Sequence, residues 1–106
     1  MIHHIENNQI NEEVLKNENK LIIIDFFATW CMPCQMLTPI LVEMDKKYNE
    51  NVEFYKVNID ENQETAIRYG IESVPTIIFF KNGVEIERQI GLINEEKFSK
   101  LIEELK

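Results

Sequence analysis

The chain is poor in cysteine, glycine, proline and positive charge, with two, three, three and eleven residues respectively among its 106. Two cysteines cannot make the framework of bridges that staples small secreted domains. Lying three apart as Cys31 and Cys34, they would close a loop so short that it barely restrains the unfolded chain, which makes stability a weak reason for the pair. There is no Pro/Gly/Ser linker, repeat or low-complexity tract, and no flavin or nucleotide fingerprint. Eleven Lys plus Arg against 19 Asp plus Glu leave a net charge of −8, which sets nucleic acid and anionic membrane aside as partners because both are repelled over much of the surface. No apolar run reaches membrane-spanning length. Met1-Ile2-His3-His4 lacks the start of a secretory signal, and the chain reads as cytoplasmic.

What is present is a 44% apolar, 28% charged composition, typical of a folded protein with a core. The length suits one domain over residues 1–106 and leaves no room for a second core. A first strand is expected over Ile2–Ile5, and Asn11 caps a first short helix in which Ile10 and Leu15 form a hydrophobic staple. Residues 21–27 lack alternation and read as a central strand covered on both faces. After Pro33 a helix is expected from Cys34 to Tyr48, with Pro39 bending it. Val52–Ile59 follows as a strand, Asn62–Tyr69 as a short helix, and Gly70 as its C-terminal cap. Thr76–Lys81 and Val84–Ile90 form a hairpin around Asn82-Gly83. Val84, Ile86 and Ile90 are expected on a half-buried face opposite Glu85, Glu87 and Gln89, with Arg88 the exception. Asn94 caps a last helix whose buried stripe is Phe98, Leu101, Ile102 and Leu105. This alternation predicts an α/β fold, a mixed sheet with helices on both faces.

The chemistry concentrates where the buried strand passes into a helix, at Trp30-Cys31-Met32-Pro33-Cys34. Two thiols at i and i+3 share one face of a helical first turn and can close a bridge. Unpaired amides and the positive helix end favour a thiolate at Cys31, and Pro33 costs little there. A lowered thiol pKa raises the thiolate fraction roughly fifteenfold but lowers intrinsic nucleophilicity about fivefold, so attack gains only about threefold. The larger effect is on leaving-group quality and redox potential. Cys31 is therefore the expected exposed nucleophile and Cys34 the less exposed resolving thiol.

Asp25 stands within Ile22-Ile23-Ile24-Asp25-Phe26-Phe27, where burial raises a carboxyl pKa and makes it a proton acceptor for Cys34, directly or through water. The structural alternative is an acid held for packing or by Lys56. No charged residue occurs from Phe26 through Val42, so Trp30, Met32 and Pro33 beside an exposed sulfur describe an apolar docking surface; ordinary core packing is the alternative. His3 and His4 point to opposite sides of a strand and have no further ligand at a fitting offset, so they read as surface residues.

The segments Asp25 to Cys34, Lys56-Val57-Asn58-Ile59-Asp60, Tyr69-Gly70-Ile71, Val74-Pro75-Thr76, Phe80-Lys81-Asn82-Gly83 and Gly91, in this order, resemble the thioredoxin family over essentially the whole chain. The resemblance implies a thioredoxin-like fold, a central five-stranded mixed sheet flanked by four helices. It implies reduction of disulfide-containing substrate proteins by a monomer that holds no cofactor and no metal, with recovery through a separate thioredoxin reductase using NADPH. By the same resemblance Cys31 is the nucleophile, Cys34 the resolving thiol and Asp25 the buried acid. Lys56 is the lysine near that acid and Pro39 the proline in the active-site helix. Val74-Pro75 is cis and faces the cysteines, and backbone around Pro75, with Gly91, helps to hold substrate. Family members commonly have Gly where this chain has Met32, Lys or Arg where it has Gln35, and Trp where it has Phe27. The same scaffold also serves oxidases and isomerases, and the remaining readings are a non-catalytic binding module and a metal site shared between two copies.

Overall fold

The structure is a computed structural model that describes residues 2–4, 10, 15–16 and 20–106. In chain order the elements are β1 (Ile2–His4), β2 (Leu21–Phe27), α1 (Met32–Tyr48), β3 (Val52–Asn58), α2 (Gln63–Arg68), β4 (Thr76–Lys81), β5 (Val84–Ile90) and α3 (Glu95–Leu105). The strands form one mixed sheet in the order β1-β3-β2-β4-β5. β1 and β2 both pair parallel with β3, whereas β4 runs antiparallel to β2 and β5 antiparallel to β4. Three helices are described over their length; of the expected helix capped by Asn11 only Leu15, which is helical, and Lys16 are among the described residues, and Ile5 at the end of the first strand lies outside them. Ile10 and Leu15, the expected staple pair, are both buried.

The apolar run Leu21–Phe27 makes β2 central, because neither face can be given to water. Leu21 and Ile23 pack with Leu37, Leu41 and Met44 of α1 and with Phe98 and Ile102 of α3. Ile22, Ile24 and Phe26 face a second cluster with Ile10, Leu15 and Ile78. Tyr69, which caps α2, lies between Phe26 and Phe80 at 5.8 Å from each ring centroid. Period-two alternation thus puts Asp25 on the α1 side of the sheet.

The local signals act as expected at three junctions. Asn82 and Gly83 both have positive φ, 53° and 82°, the conformation that a tight two-residue hairpin requires. Gly70 follows α2 with φ 65°, and Asn94 Oδ1 accepts from Lys97 N–H at 2.9 Å to cap α3. The α1 helix begins at Met32 rather than at Cys34. A proline in the first turn removes no helical bond, so Pro33 lies inside the helix instead of before it.

β5 departs from its expected pattern. Val84, Ile86 and Ile90 are all exposed, Val84 and Ile90 by more than 60%, so the apolar face is not half-buried. β5 is an edge strand, and its register shifts opposite Phe79/Phe80. Such a bulge re-aims side chains and places Glu85 beside Arg88, whose Nε and Nη2 donate to its carboxylate at 2.9 and 2.8 Å. Residues three apart on a regular strand would point to opposite faces.

Phe98 is fully buried and packs edge-on against both Phe54 and Phe79. Phe98→Ala is expected to destabilise the protein by about 3–5 kcal/mol, read as a lower urea midpoint. Ile67→Ala, at a side chain that is 79% exposed, should stay within about 0.5 kcal/mol of the parent.

Candidate active site

β2 ends at Phe27, and four residues later Cys31 forms the N-cap of α1 in extended conformation, with φ −91° and ψ 111°. The first amides of a helix lack helical acceptors; here Cys34 N–H donates to Cys31 Sγ at 3.2 Å. Cys34 thereby lies in the first turn, its Cα 5.3 Å from that of Cys31, and the two sulfurs are joined as a disulfide. No acidic side chain occupies that first turn, so nothing in it opposes negative charge on sulfur. Both cysteines are covered: Cys31 is 5% and Cys34 3% exposed. The expectation of an exposed Cys31 beside a covered Cys34 is corrected, because Ala28, Ile59 and Val74 pack around the pair. The two thiols differ by position in the helix, not by exposed area.

The surroundings hold this turn in place. Gln35 Nε2 donates to Thr29 O at 2.9 Å, tying the first turn of α1 to the loop before it. Trp30 is 69% exposed, yet its Nε1 donates to Asp60 Oδ2 at 2.8 Å, and Asp60 N–H donates to Asn58 Oδ1 at 2.9 Å. No role for Gln35 or Asp60 was assigned from sequence; their bonds cross loops whose approach only the fold creates. Met32 is 65% exposed and Pro33 is exposed, so the rim of the disulfide is apolar and open.

The Val74-Pro75 bond is cis, and Val74 O lies 3.6 Å from Cys31 Sγ. In the disulfide that sulfur has no hydrogen to donate, so this is a contact and not a hydrogen bond. Pro75 O accepts from Gly91 N–H at 2.8 Å. Gly91 has φ 89°, a left-handed conformation that side chains disfavour. The Val74-Pro75 segment thus lies against Cys31, and Gly91, sixteen residues on from Pro75, is tied to that segment.

Asp25 is 1% exposed, and neither carboxylate oxygen has a hydrogen-bond partner. Burial pushes its pKa up to about 7, against the smaller opposing attraction of Lys56. Lys56 is opposite Asp25 in the parallel register, but its Nζ donates to Thr38 Oγ1 at 3.2 Å and lies 4.4 Å from the Phe27 ring centroid. It acts on Asp25 through its field and not as an ion-pair partner. A cavity of about 220 Å³ is lined by Phe27, Cys34, Gln35, Thr38 and Lys56, among others. Asp25 does not line it. Pro39 lies inside α1, three turns or less from both cysteines. Elsewhere, His3 Nε2 is 2.9 Å from Glu53 Oε2, and no group of three or more His, Cys, Asp or Glu among the described residues is placed to hold a metal ion.

The family model described as Thioredoxin matches residues 1–104. The chain belongs to the thioredoxin family. It is 44% identical over 92 residues to "Thioredoxin" of Rickettsia bellii, covering 87% of each chain, and 42% identical over 92 residues to "Thioredoxin" of Rickettsia prowazekii, with the same coverage. "Thioredoxin M-type, chloroplastic" of Pisum sativum is 39% identical over 92 residues, 87% of this chain and 54% of that one. The mixed five-stranded sheet is that of a thioredoxin-like fold. With the Cys31–Cys34 disulfide as its redox-active centre, this thioredoxin-family protein is a thiol-disulfide oxidoreductase that exchanges dithiol and disulfide.

The raised pKa of Asp25 has a consequence for stability. The folded protein holds a proton on this carboxyl at pH values where the unfolded chain, with an ordinary value of 3.8, has lost it. Stability from this group is therefore full at low pH and falls as pH rises towards about 7. A shift of about three units corresponds to a penalty of about 4 kcal/mol once Asp25 is ionised. Asp25→Asn should raise the stability of the disulfide form at pH 8 by up to that amount and flatten its dependence between pH ~4 and ~7, as measured by urea unfolding across pH.

Proposed function

We propose that the protein works as a reductant of disulfides in other proteins, as a single domain over residues 1–106 and as a monomer. Its electrons would come from a separate thioredoxin reductase that uses NADPH. The observation that carries this reading is the cysteine pair at the N-terminus of α1, where the Cys34 amide donates to Cys31 Sγ beneath an open apolar rim. In the dithiol form, Cys31 thiolate attacks one sulfur of a substrate disulfide and releases the other as thiolate. Cys34 then loses its proton, attacks Cys31 Sγ and expels the second substrate sulfur, leaving the protein oxidised by two electrons and the substrate reduced by two.

The remaining site residues divide into three roles. Trp30, Met32 and Pro33 on one side, and Val74, Pro75 and Gly91 on the other, receive the substrate segment, with main-chain groups around Pro75 aligning an extended chain. Asp25 accepts the Cys34 proton. The transfer runs directly or through water; in the disulfide form the Asp25 oxygens make no hydrogen bond. Lys56 holds the charge balance around the acid, and Pro39 shapes α1. An oxidase or isomerase built on the same site differs in redox potential, and Met32 and Gln35, beside the cysteines, are departures from the common pattern that bear on it.

The test is insulin-disulfide reduction with NADPH and thioredoxin reductase. Cys31→Ser is expected to abolish turnover, and unchanged turnover would sink the proposal. Cys34→Ser should accumulate mixed disulfides with substrate proteins, because the step that resolves them is gone. A potential close to those of strong oxidants, together with poor turnover by the reductase, would select the oxidase reading instead.

A further inference from the structure

The thioethers of this chain are placed unevenly. Met44 is buried at 4% exposure, whereas Met32 and Met36 are 65% and 53% exposed. Residues four apart on α1 share one face, so these two side chains form a pair that starts between the cysteines in sequence and runs one turn along the helix. No charged residue occurs from Phe26 through Val42, so the stretch of chain that carries the pair brings no charge of its own. In the oxidised protein Cys31 and Cys34 are tied together and covered, and a disulfide has no thiolate to meet an oxidant. Among the described residues, the open reduced sulfurs of that form are then those of Met32 and Met36.

We propose that Met32 and Met36 are a hydroperoxide-reactive modification site, whose oxidation turns the docking face from apolar to polar while the cysteines are in the disulfide form. The proposal rests on the reading of that face as the surface that meets reductase and substrate. In the reaction a thioether lone pair attacks the peroxide, the O–O bond breaks and one oxygen is transferred. Sulfur is oxidised by two electrons to the sulfoxide, and the other oxygen leaves as water, or as an alcohol from an organic peroxide, taking the proton of the transferred oxygen. Methionine sulfoxide reductases reverse the step. A sulfoxide oxygen is a strong acceptor that loses its water on docking. With no donor waiting for it, reductase-dependent kcat/KM is expected to fall by about tenfold.

The experiment treats the disulfide form with hydrogen peroxide, removes the peroxide and maps added oxygen by peptide mass spectrometry. Reduction is then followed with NADPH and thioredoxin reductase, and separately with dithiothreitol, which needs no docking surface. The expected result is oxygen on Met32 and Met36 before Met44, a loss of about tenfold with the reductase, an unchanged rate with dithiothreitol, and recovery after methionine sulfoxide reductase. A Met32→Leu/Met36→Leu double variant, compared only with its own untreated sample, should show a treated-to-untreated ratio near one. Oxygen on Met44 first, full activity with both thioethers oxidised, or an equal loss in the double variant would each overturn the proposal. Absence of reductase-dependent turnover before any peroxide is added refutes the reductase reading itself, which separates the two failures.

Discussion

Because β2 has a strand on either side and packed side chains on both faces, every group it carries must be satisfied within the protein, and Asp25 is where that requirement is broken. The buried side-chain polar atoms without a partner among the described residues are both Asp25 oxygens and Asn62 Oδ1. An unpartnered carboxylate in such a place is costly, and the protein meets the cost by keeping the group protonated up to about neutral pH. The arrangement weakens the fold at alkaline pH. Lys56, opposite in register, tempers the effect without forming the ion pair that would remove it.

The same strand sets the position of the cysteines. β2 delivers the chain to Cys31 at the mouth of α1, where the amides of the first turn have no helical acceptors. One of them bonds the sulfur. The Gln35–Thr29 and Trp30–Asp60 bonds hold the turn from either side, while the cis Val74-Pro75 segment closes over Cys31 from another part of the chain. Reactive sulfurs are thereby covered, and the side chains that rim them are open. Trp30 and Met32 stand in the open where Cys31 and Cys34 do not.

Much of this was legible in the residues. The unbroken apolar run of β2, the Asn82-Gly83 turn and the Asn94 cap each place an element by local chemistry, and the structure has all three there. α1 was expected to start after Pro33, but a first-turn proline has no bond to lose, and the helix takes in Met32. On β5 a regular alternation pointed to a half-buried face; the bulge and the edge position leave Val84, Ile86 and Ile90 in the open. A bulge is a relation between two strands, so one strand's sequence does not disclose it.

The residues alone supply the chemistry: two thiols at helix-turn spacing, a carboxyl inside an apolar strand, and a charge-free stretch around the thiols. Those properties follow from residue types and near-neighbour spacing, which act over a few residues. The covering of both cysteines, the reach of Lys56 to Thr38 and not to Asp25, and the approach of Val74 to Cys31 and of Gly91 to Pro75 come from the fold alone. These are contacts between segments tens of residues apart, and their distances are fixed by sheet register and helix packing rather than by any local preference of the chain.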